Sequence, residues 1–384
     1  MPPIDSSTAR PDLGSSVADL DTPALVIDID AMERNLAAMA AFARARGVRL
    51  RPHAKMHKCA AIARLQIAAG AVGICVQKTS EAEALAAQGL GDIFISNEVV
   101  RPAKLARVAE LARHVRLAIA VDSAEGVDLL AEAARAAKAT ISVFVEVDVG
   151  HGRCGVAVDA VPALAERIVA HSPPRGGLVF AGLQAYHGAA QHVAGAAERR
   201  AASHRAAAIA RSARDAVVAA GIDCPLVTGA GTGTFAFDAE DGVWGEWQVG
   251  SYLFMDRDYA DVAPAPGAPR FEHALFVKSS VMSRSAVHVV VDAGLKAYAT
   301  DSGPPRVVGG GLAFDKASDE HAVLRPEPGA RGTALPLLGA TVWLIPGHCD
   351  PTVNLHDRYV VVRGGLENGV VEALWSIDAR GALT

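Results

Sequence analysis

The segment RPHAKMHK sets Lys55 among Arg51, His53, His57 and Lys58. A lysine held among other cations and partly removed from water has its pKa lowered and becomes a usable amine nucleophile. The same residues also suit a basic surface loop. Further on, TGAGTGT (Thr228 to Thr234) is a glycine-rich turn with threonine hydroxyls. That composition presents backbone N–H groups to a phosphate. Arg153, in GHGRCG, offers a guanidinium that can pin a ring nitrogen or a carboxylate, or sit in a surface salt bridge. QAYHGAAQH carries Tyr186, His187 and His192, a candidate set for acid–base work. In PGHCDPTVNLHD, His348 and Asp350 stand at i and i+2, a spacing that an extended segment turns to one face. One imidazole and one carboxylate, with positions left open for water and substrate, suit a loosely held Mn²⁺, Mg²⁺ or Zn²⁺ rather than a closed structural zinc. Cys349 then points away as packing, and His356 with Asp357 forms a second candidate pair.

Such residues need a frame. From about residue 23 to 255, short β-branched runs alternate with alanine-rich helical stretches, the signature of repeated βα units. Strands are expected at Ala24–Ile29, Val48–Pro52, Ala71–Gln77, Asp92–Ser96, Val115–Val121, Thr140–Asp148, Leu178–Ala185, Pro225–Thr228 and Trp247–Phe254. They read as apolar runs rather than alternations, which implies a parallel sheet buried on both faces. Nine strands exceed a (β/α)8 barrel by one. The first, ALVIDI, is therefore placed outside, and Val48–Pro52 becomes the first barrel strand. Lys55, Gln77, Arg153, Tyr186 and the TGAGTGT turn then fall at the C-terminal strand ends, where such barrels gather their chemistry. A doubly wound open sheet is the alternative, weakened because no GxGxxG follows the first strand. Asp30 and Ser80, with Glu33 and Glu83 three residues on, read as helix caps. Beyond Pro264 the texture changes to short β runs broken by Gly, Pro and Asp. The expected organisation is a leader (1–22), a barrel (23–260) and a β-rich domain (261–384), with strand 24–29 able to pair into the last.

Charge and hydropathy narrow the class. A net charge of −5 and a pI near 6.2 argue against nucleic-acid or membrane-surface binding. The longest apolar stretch, Ile67 to Val76, is about ten residues and too short to span a bilayer. The N-terminus lacks the apolar core of a secretory signal. Five dispersed cysteines without a CxxC pair suit a reducing cytoplasm.

The motifs RPHAKMHK, ICVQKTSEAEA, SNEVVRPAKL, VEVDVGHGRCGV, GLQAYHG…QH, TGAGTGTF, GSYLFMDRDY, VDAGLKA, SDEH and GHCDPTVNLHD, in that order, resemble D-threonine aldolases. These are the metal-dependent branch of the fold-type III, alanine-racemase-like pyridoxal-phosphate (PLP) enzymes. The resemblance runs from about Asp21 to Ala382 and implies a PLP-binding (β/α)8 barrel, a C-terminal β-rich domain and a homodimer. It implies that Lys55 holds PLP as a Schiff base and that Arg153 faces the pyridine nitrogen. Gln77 and Tyr186 would line the cofactor, and Thr228, Gly231, Thr232 and Tyr252 would surround its phosphate. His348 and Asp350 would bind a divalent metal, Mn²⁺ first and Mg²⁺, Co²⁺ or Zn²⁺ after it. His192 would act as base on the hydroxyl of a D-3-hydroxy-amino acid. Ala230 stands where the family is expected to have glycine, a departure taken to cost little. A β-hydroxyaspartate aldolase, or a D-serine or 3-hydroxyaspartate dehydratase, remains the alternative. Related dehydratases usually carry His-x-Cys at the metal position, so Asp350 favours the aldolase.

Overall fold

The computed structural model describes residues 11–174, 176–329 and 334–384; residues 1–10 of the leader lie outside the described residues. The chain packs as two compact units. One comprises 38–250, 262–270 and 381–384, and the other comprises 11–37, 251–261 and 271–380.

Strand β1 (Ala24–Asp28) belongs to the second unit and is described with it. The first unit is built on eight parallel strands. They are β2 (Arg49–Leu50), β3 (Ile74–Val76), β4 (Asp92–Glu98), β5 (Arg116–Val121), β6 (Ile141–Glu146), β7 (Leu178–Ala185), β8 (Val227–Gly229) and β9 (Glu246–Trp247). Their order in the sheet is β2-β9-β8-β7-β6-β5-β4-β3. The two ends of that order meet, because Cys75 N–H donates to the Pro52 carbonyl (2.9 Å) and a parallel bridge joins His53 to Cys75. The result is a TIM-like barrel. A layer of Cys75, Phe94, Ala120 and Phe144 fills its interior, with the two phenyl rings 4.9 Å apart. Burial of such side chains, at roughly 25 cal/mol per Å² of apolar surface, is what drives closure.

The eighth barrel strand ends at Trp247 rather than running on to Phe254. At Gly250 a Cβ would come within 3.2 Å of the His53 carbonyl, and the chain then turns through a short 3₁₀ segment, Ser251–Leu253. The caps also differ from expectation. Asp28, not Asp30, accepts the Ala31 N–H at the start of the helix Ile29–Arg44, while Asp30 accepts from Gly364 N–H and Arg363. Helix Thr79–Ala87 is capped by Glu81, whose carboxylate accepts from Gln77 N–H (2.9 Å) and Lys78 N–H (3.2 Å). Ser80 instead bonds the Thr384 carbonyl, and Glu83 pairs with Arg107.

The second unit is a mixed sheet. Its strands are β1, β10 (Leu275–Arg284), β11 (Val289–Val291), β12 (Arg306–Val307), β13 (Leu312–Ala317), β14 (Ala322–Pro326), β15 (Thr341–Ile345), β16 (Arg358–Arg363) and β17 (Val370–Ser376). The main order is β13-β14-β11-β10-β1-β16-β17, with β15 pairing β10 and β12. Strand β1 runs antiparallel to β10 and parallel to β16. Val17, Leu20, Val26, Val360, Val362 and Val371 form a core cluster on it.

Candidate active site and metal centre

Parallel strands deliver their C-terminal ends to one rim of the barrel, so residues far apart in sequence gather there. Lys55 follows β2 on a 3₁₀ turn, Ala54–Met56, with His53 as its N-cap. The Nδ1 of that histidine accepts from Lys55 N–H at 3.3 Å. Burial, aided by Lys55 and other nearby cations, holds His53 well below the usual histidine range, so it is neutral at pH 7. Gln77, after β3, places its side-chain amide 2.8 Å from His53 Nε2 and 3.0 Å from Ser96 Oγ.

The cations around Lys55 are largely compensated. Lys58 is buried against Glu81 (2.5 Å), and Arg51 is bound by Asp92 (2.6 Å) and Glu246 (3.2 Å). Crowding by positive charge is therefore not how this segment is organised. The sequence shows the cations but not the long-range carboxylates that meet them.

Arg153 follows β6, half exposed, with its guanidinium 5.8 Å from the centre of the Tyr186 ring after β7. His192 ends the short turn Ala189–His192 and is exposed. Thr228 lies on β8, fully buried, donating to Glu246 Oε1 and accepting from Gln248 Nε2, both at 2.9 Å. The loop beyond it packs on Gln191, which sequence reading passed over. Gly233 N–H donates to Gln191 Oε1 (2.9 Å), and a Cβ on Gly231 or Gly233 would come within 2.4 or 2.2 Å of that residue. Thr232 in this loop is buried. Ala230 is in the left-handed region at φ 64°, a conformation that costs an L-residue about 1–2 kcal/mol, so the departure from glycine is not free. Tyr252 belongs to the other unit, where it is fully buried with its ring 5.6 Å from Phe271.

In the β-rich unit, His348 and Asp350 do not lie on an extended segment. Cys349–Val353 is a helical turn with His348 at its N-cap and Asp350 in its first turn. The two side chains still converge, with Nε2 and Oδ1 3.6 Å apart. Two further carboxylates stand around them. Asp301 lies 2.7 Å from His348 Nδ1, and buried Asp256 accepts from Cys349 N–H at 2.9 Å. Burial pushes Asp256 up to about 6. Burial alone would lower His348, but Asp350 and Asp301 outweigh it and raise that histidine. Asp301 carries no local motif in the sequence, and Asp256 lies within GSYLFMDRDY, where nothing shows that it meets the His348 turn. The Cys349 thiol is buried and pushed far up by that burial, as inert packing requires. His356 and Asp357 part company: the first bonds the Ala297 carbonyl and the second pairs with Arg380. No helix among the described residues is long and apolar enough to cross a membrane.

Residues 27–258 match the family described as alanine racemase, N-terminal domain, and residues 274–362 match a putative serine dehydratase domain. A D-threonine aldolase from Arthrobacter is 50% identical over 96% of this chain and 95% of its own. The crystal structure of D-threonine aldolase from Filomicrobium marinum superposes with a TM-score of 0.92 at 46% identity, covering 98% of this chain and all of that one. The chain belongs to the D-threonine aldolase family. A 3-hydroxy-D-aspartate aldolase from Paracoccus denitrificans is also similar, 41% identical over 96% of this chain and 94% of its own.

The residues of this D-threonine aldolase family member fit the groups such a scaffold implies. Pyridoxal phosphate asks for an amine, a ring partner and a backbone cradle. Lys55, Arg153 and the Gly231–Gly233 loop, whose two glycines leave no room for a Cβ against Gln191, are of those kinds. A divalent ion asks for converging nitrogen and oxygen donors with a supporting carboxylate, and His348, Asp350 and Asp301 provide that donor set.

Proposed function

We propose that this chain is a PLP- and divalent-metal-dependent aldolase that cleaves D-3-hydroxy-amino acids of the D-threonine type to glycine and an aldehyde. The observation that carries the reading is the His348–Asp350 pair, 3.6 Å apart, with a carboxylate rather than a thiolate as the second donor. In this reading the enzyme is a cytoplasmic homodimer and its ion is Mn²⁺.

Lys55 is the amine that would hold the cofactor aldehyde. Arg153 would face the ring nitrogen, and a guanidinium keeps its proton, so it donates there without protonating the ring. Gln77 and Tyr186 would line the ring, while Thr228, Gly231, Thr232 and Tyr252 would surround the phosphate. When bound, pyridoxal phosphate supplies an electron sink for the carbanion left at Cα. His348 and Asp350 would hold the ion, whose charge offsets a developing alkoxide at the β-hydroxyl. His192 takes the hydroxyl proton, the Cα–Cβ bond then breaks to release the aldehyde, and protonation at Cα gives glycine.

The test is a product assay on metal-stripped chain supplied with PLP, using D-threonine and D-3-hydroxyaspartate with and without Mn²⁺. Glycine appearing only with metal supports the aldolase, and the faster of the two substrates decides between the D-threonine and the 3-hydroxyaspartate reading. Ammonia and a keto acid in place of glycine would make the chain a dehydratase and overturn the role given to Asp350.

A further inference from the structure

Glu146 ends β6 with 3% of its surface exposed, and its Oε2 receives no hydrogen bond. Glu98, at the end of β4, has a buried Oε1 in the same condition. The two side chains are within hydrogen-bonding reach of each other. Around them stand Asp122, Arg153 and Cys154, and single donor atoms of Glu98, Asp122 and Cys154 all fall within 4.8 Å of one another. Asp122 accepts from Gly155 N–H at 3.2 Å. The cation in this group, Arg153, approaches Glu146 Oε1 only to 3.9 Å and is half exposed. The Cys154 thiol is pushed up to about 11, first by burial and then by Glu98, so it adds no charge at pH 7.

Three carboxylates against one distant guanidinium are too much negative charge for such a place. Two buried carboxylate oxygens within reach of each other, neither with a donor, are repulsive when both groups are ionised. One hydrogen between them satisfies both. We propose that Glu98 and Glu146 share a single proton at neutral pH, carried on Glu146 Oε2 and donated to Glu98 Oε1. This leaves Glu146 Oε1 as an uncharged oxygen 3.9 Å from the Arg153 guanidinium, a polar contact rather than a hydrogen bond, that positions it. Burial, with Glu98 beside it, pushes Glu146 up to about 9, in keeping with this arrangement.

Glu146 is then a positioning residue. It orients Arg153 without neutralising it, and the full positive charge is left to face the cofactor ring. That last step rests on the proposed reading of Arg153; the shared proton does not.

Two measurements test the pair on the full chain. Infrared difference spectra of wild type against Glu146→Gln, with and without added PLP, should show a protonated-carboxyl stretch in wild type at pH 7. The stretch should fade above about pH 9. Its absence at pH 7 overturns the shared proton whether or not the chain proves to be an aldolase. The second measurement is PLP affinity by absorbance. Glu146→Gln keeps a neutral carbonyl beside Arg153 and should bind like wild type, whereas Glu146→Ala should bind about tenfold more weakly. Equal losses in the two variants would mean that Arg153 needs a charged partner, and would overturn the positioning role. A chain that binds no PLP yet keeps the infrared band would sink the proposed function and leave the pair standing.

Discussion

His348 and Asp301 are 47 residues apart in sequence, yet Asp301 Oδ2 lies 2.7 Å from His348 Nδ1. A carboxylate on one imidazole nitrogen fixes the tautomer and the ring plane, leaving the other nitrogen aimed at a ligand. Here that other nitrogen faces Asp350. Asp301 thus does for the candidate metal centre what a supporting carboxylate does for a histidine ligand elsewhere.

Asp301→Ala should therefore weaken divalent metal binding by about 10–100-fold while leaving the absorbance of bound PLP unchanged. Mn²⁺ titration followed by metal analysis reads the first quantity and visible spectroscopy the second. Wild-type Mn²⁺ affinity in the variant would detach Asp301 from the centre.

His192 offers an exposed imidazole at the end of its turn. If it takes the substrate hydroxyl proton, His192→Ala should lower turnover by roughly 10²–10⁴-fold, the usual worth of general-base help, with cofactor binding intact. Steady-state assay beside a PLP titration separates the two effects. An unchanged rate removes His192 from the mechanism.

Lys58 and Glu81 are both buried and 2.5 Å apart, and Glu81 also holds the N–H groups of Gln77 and Lys78. Removing one member of a buried pair leaves a desolvated charge and typically costs about 3–5 kcal/mol. Glu81→Ala should lose stability of that order in urea denaturation, and it should also lower PLP occupancy, since Lys58 closes the turn that carries Lys55. A loss under about 1 kcal/mol would place this pair with surface ion pairs.

Much of the frame was legible in the chain because βα units announce themselves locally. The strand Ile141–Glu146, apolar but for Ser142 and its last residue, and the stretch Ala124–Ala137, capped by Ser123 Oγ on Gly126 N–H, each follow from their own few residues. The candidate site was readable only where chemistry and motif coincide, as at Lys55, Arg153 and His348. Asp301, Asp256, Glu98, Glu146 and Gln191 matter through contacts that the fold creates, and the motifs that hold four of them, SNEVVRPAKL, VEVDVGHGRCGV, QAYHGAAQH and GSYLFMDRDY, do not show those partners. The i, i+2 argument expected His348 and Asp350 to converge, and they do, 3.6 Å apart, but by another geometry. A helical N-cap, not an extended strand, brings the side chains together.

Ala230 is 3% exposed and sits at φ 64°, between Gly229 and Gly231 of the barrel-rim loop. Left-handed backbone costs alanine about 1–2 kcal/mol, while glycine loses somewhat more chain entropy on folding, roughly 0.5–1 kcal/mol. The balance favours glycine. Ala230→Gly should stabilise the chain by on the order of 0.5 kcal/mol, seen as a higher urea midpoint at unchanged slope. A lower midpoint would show that the alanine methyl contributes more by packing than its backbone costs.

Asp238 carries the clearest pH signature outside the candidate site. It is buried in the helix Phe235–Asp241 and accepts from the hydroxyls of Ser203 (2.5 Å) and Thr234 (2.6 Å). Burial raises it from 3.8 to about 7, against the two hydroxyl bonds that pull it down. Between those values the native chain keeps a proton that the unfolded chain releases. The unfolded state therefore binds fewer protons, and stability falls as pH rises from about 4 to about 7, with no further loss from this group above that. Asp238→Asn removes the titration, so its urea midpoint should drop less than that of wild type between pH 5 and pH 7. Parallel curves for the two proteins would mean that Asp238 is already ionised in the native state at pH 5.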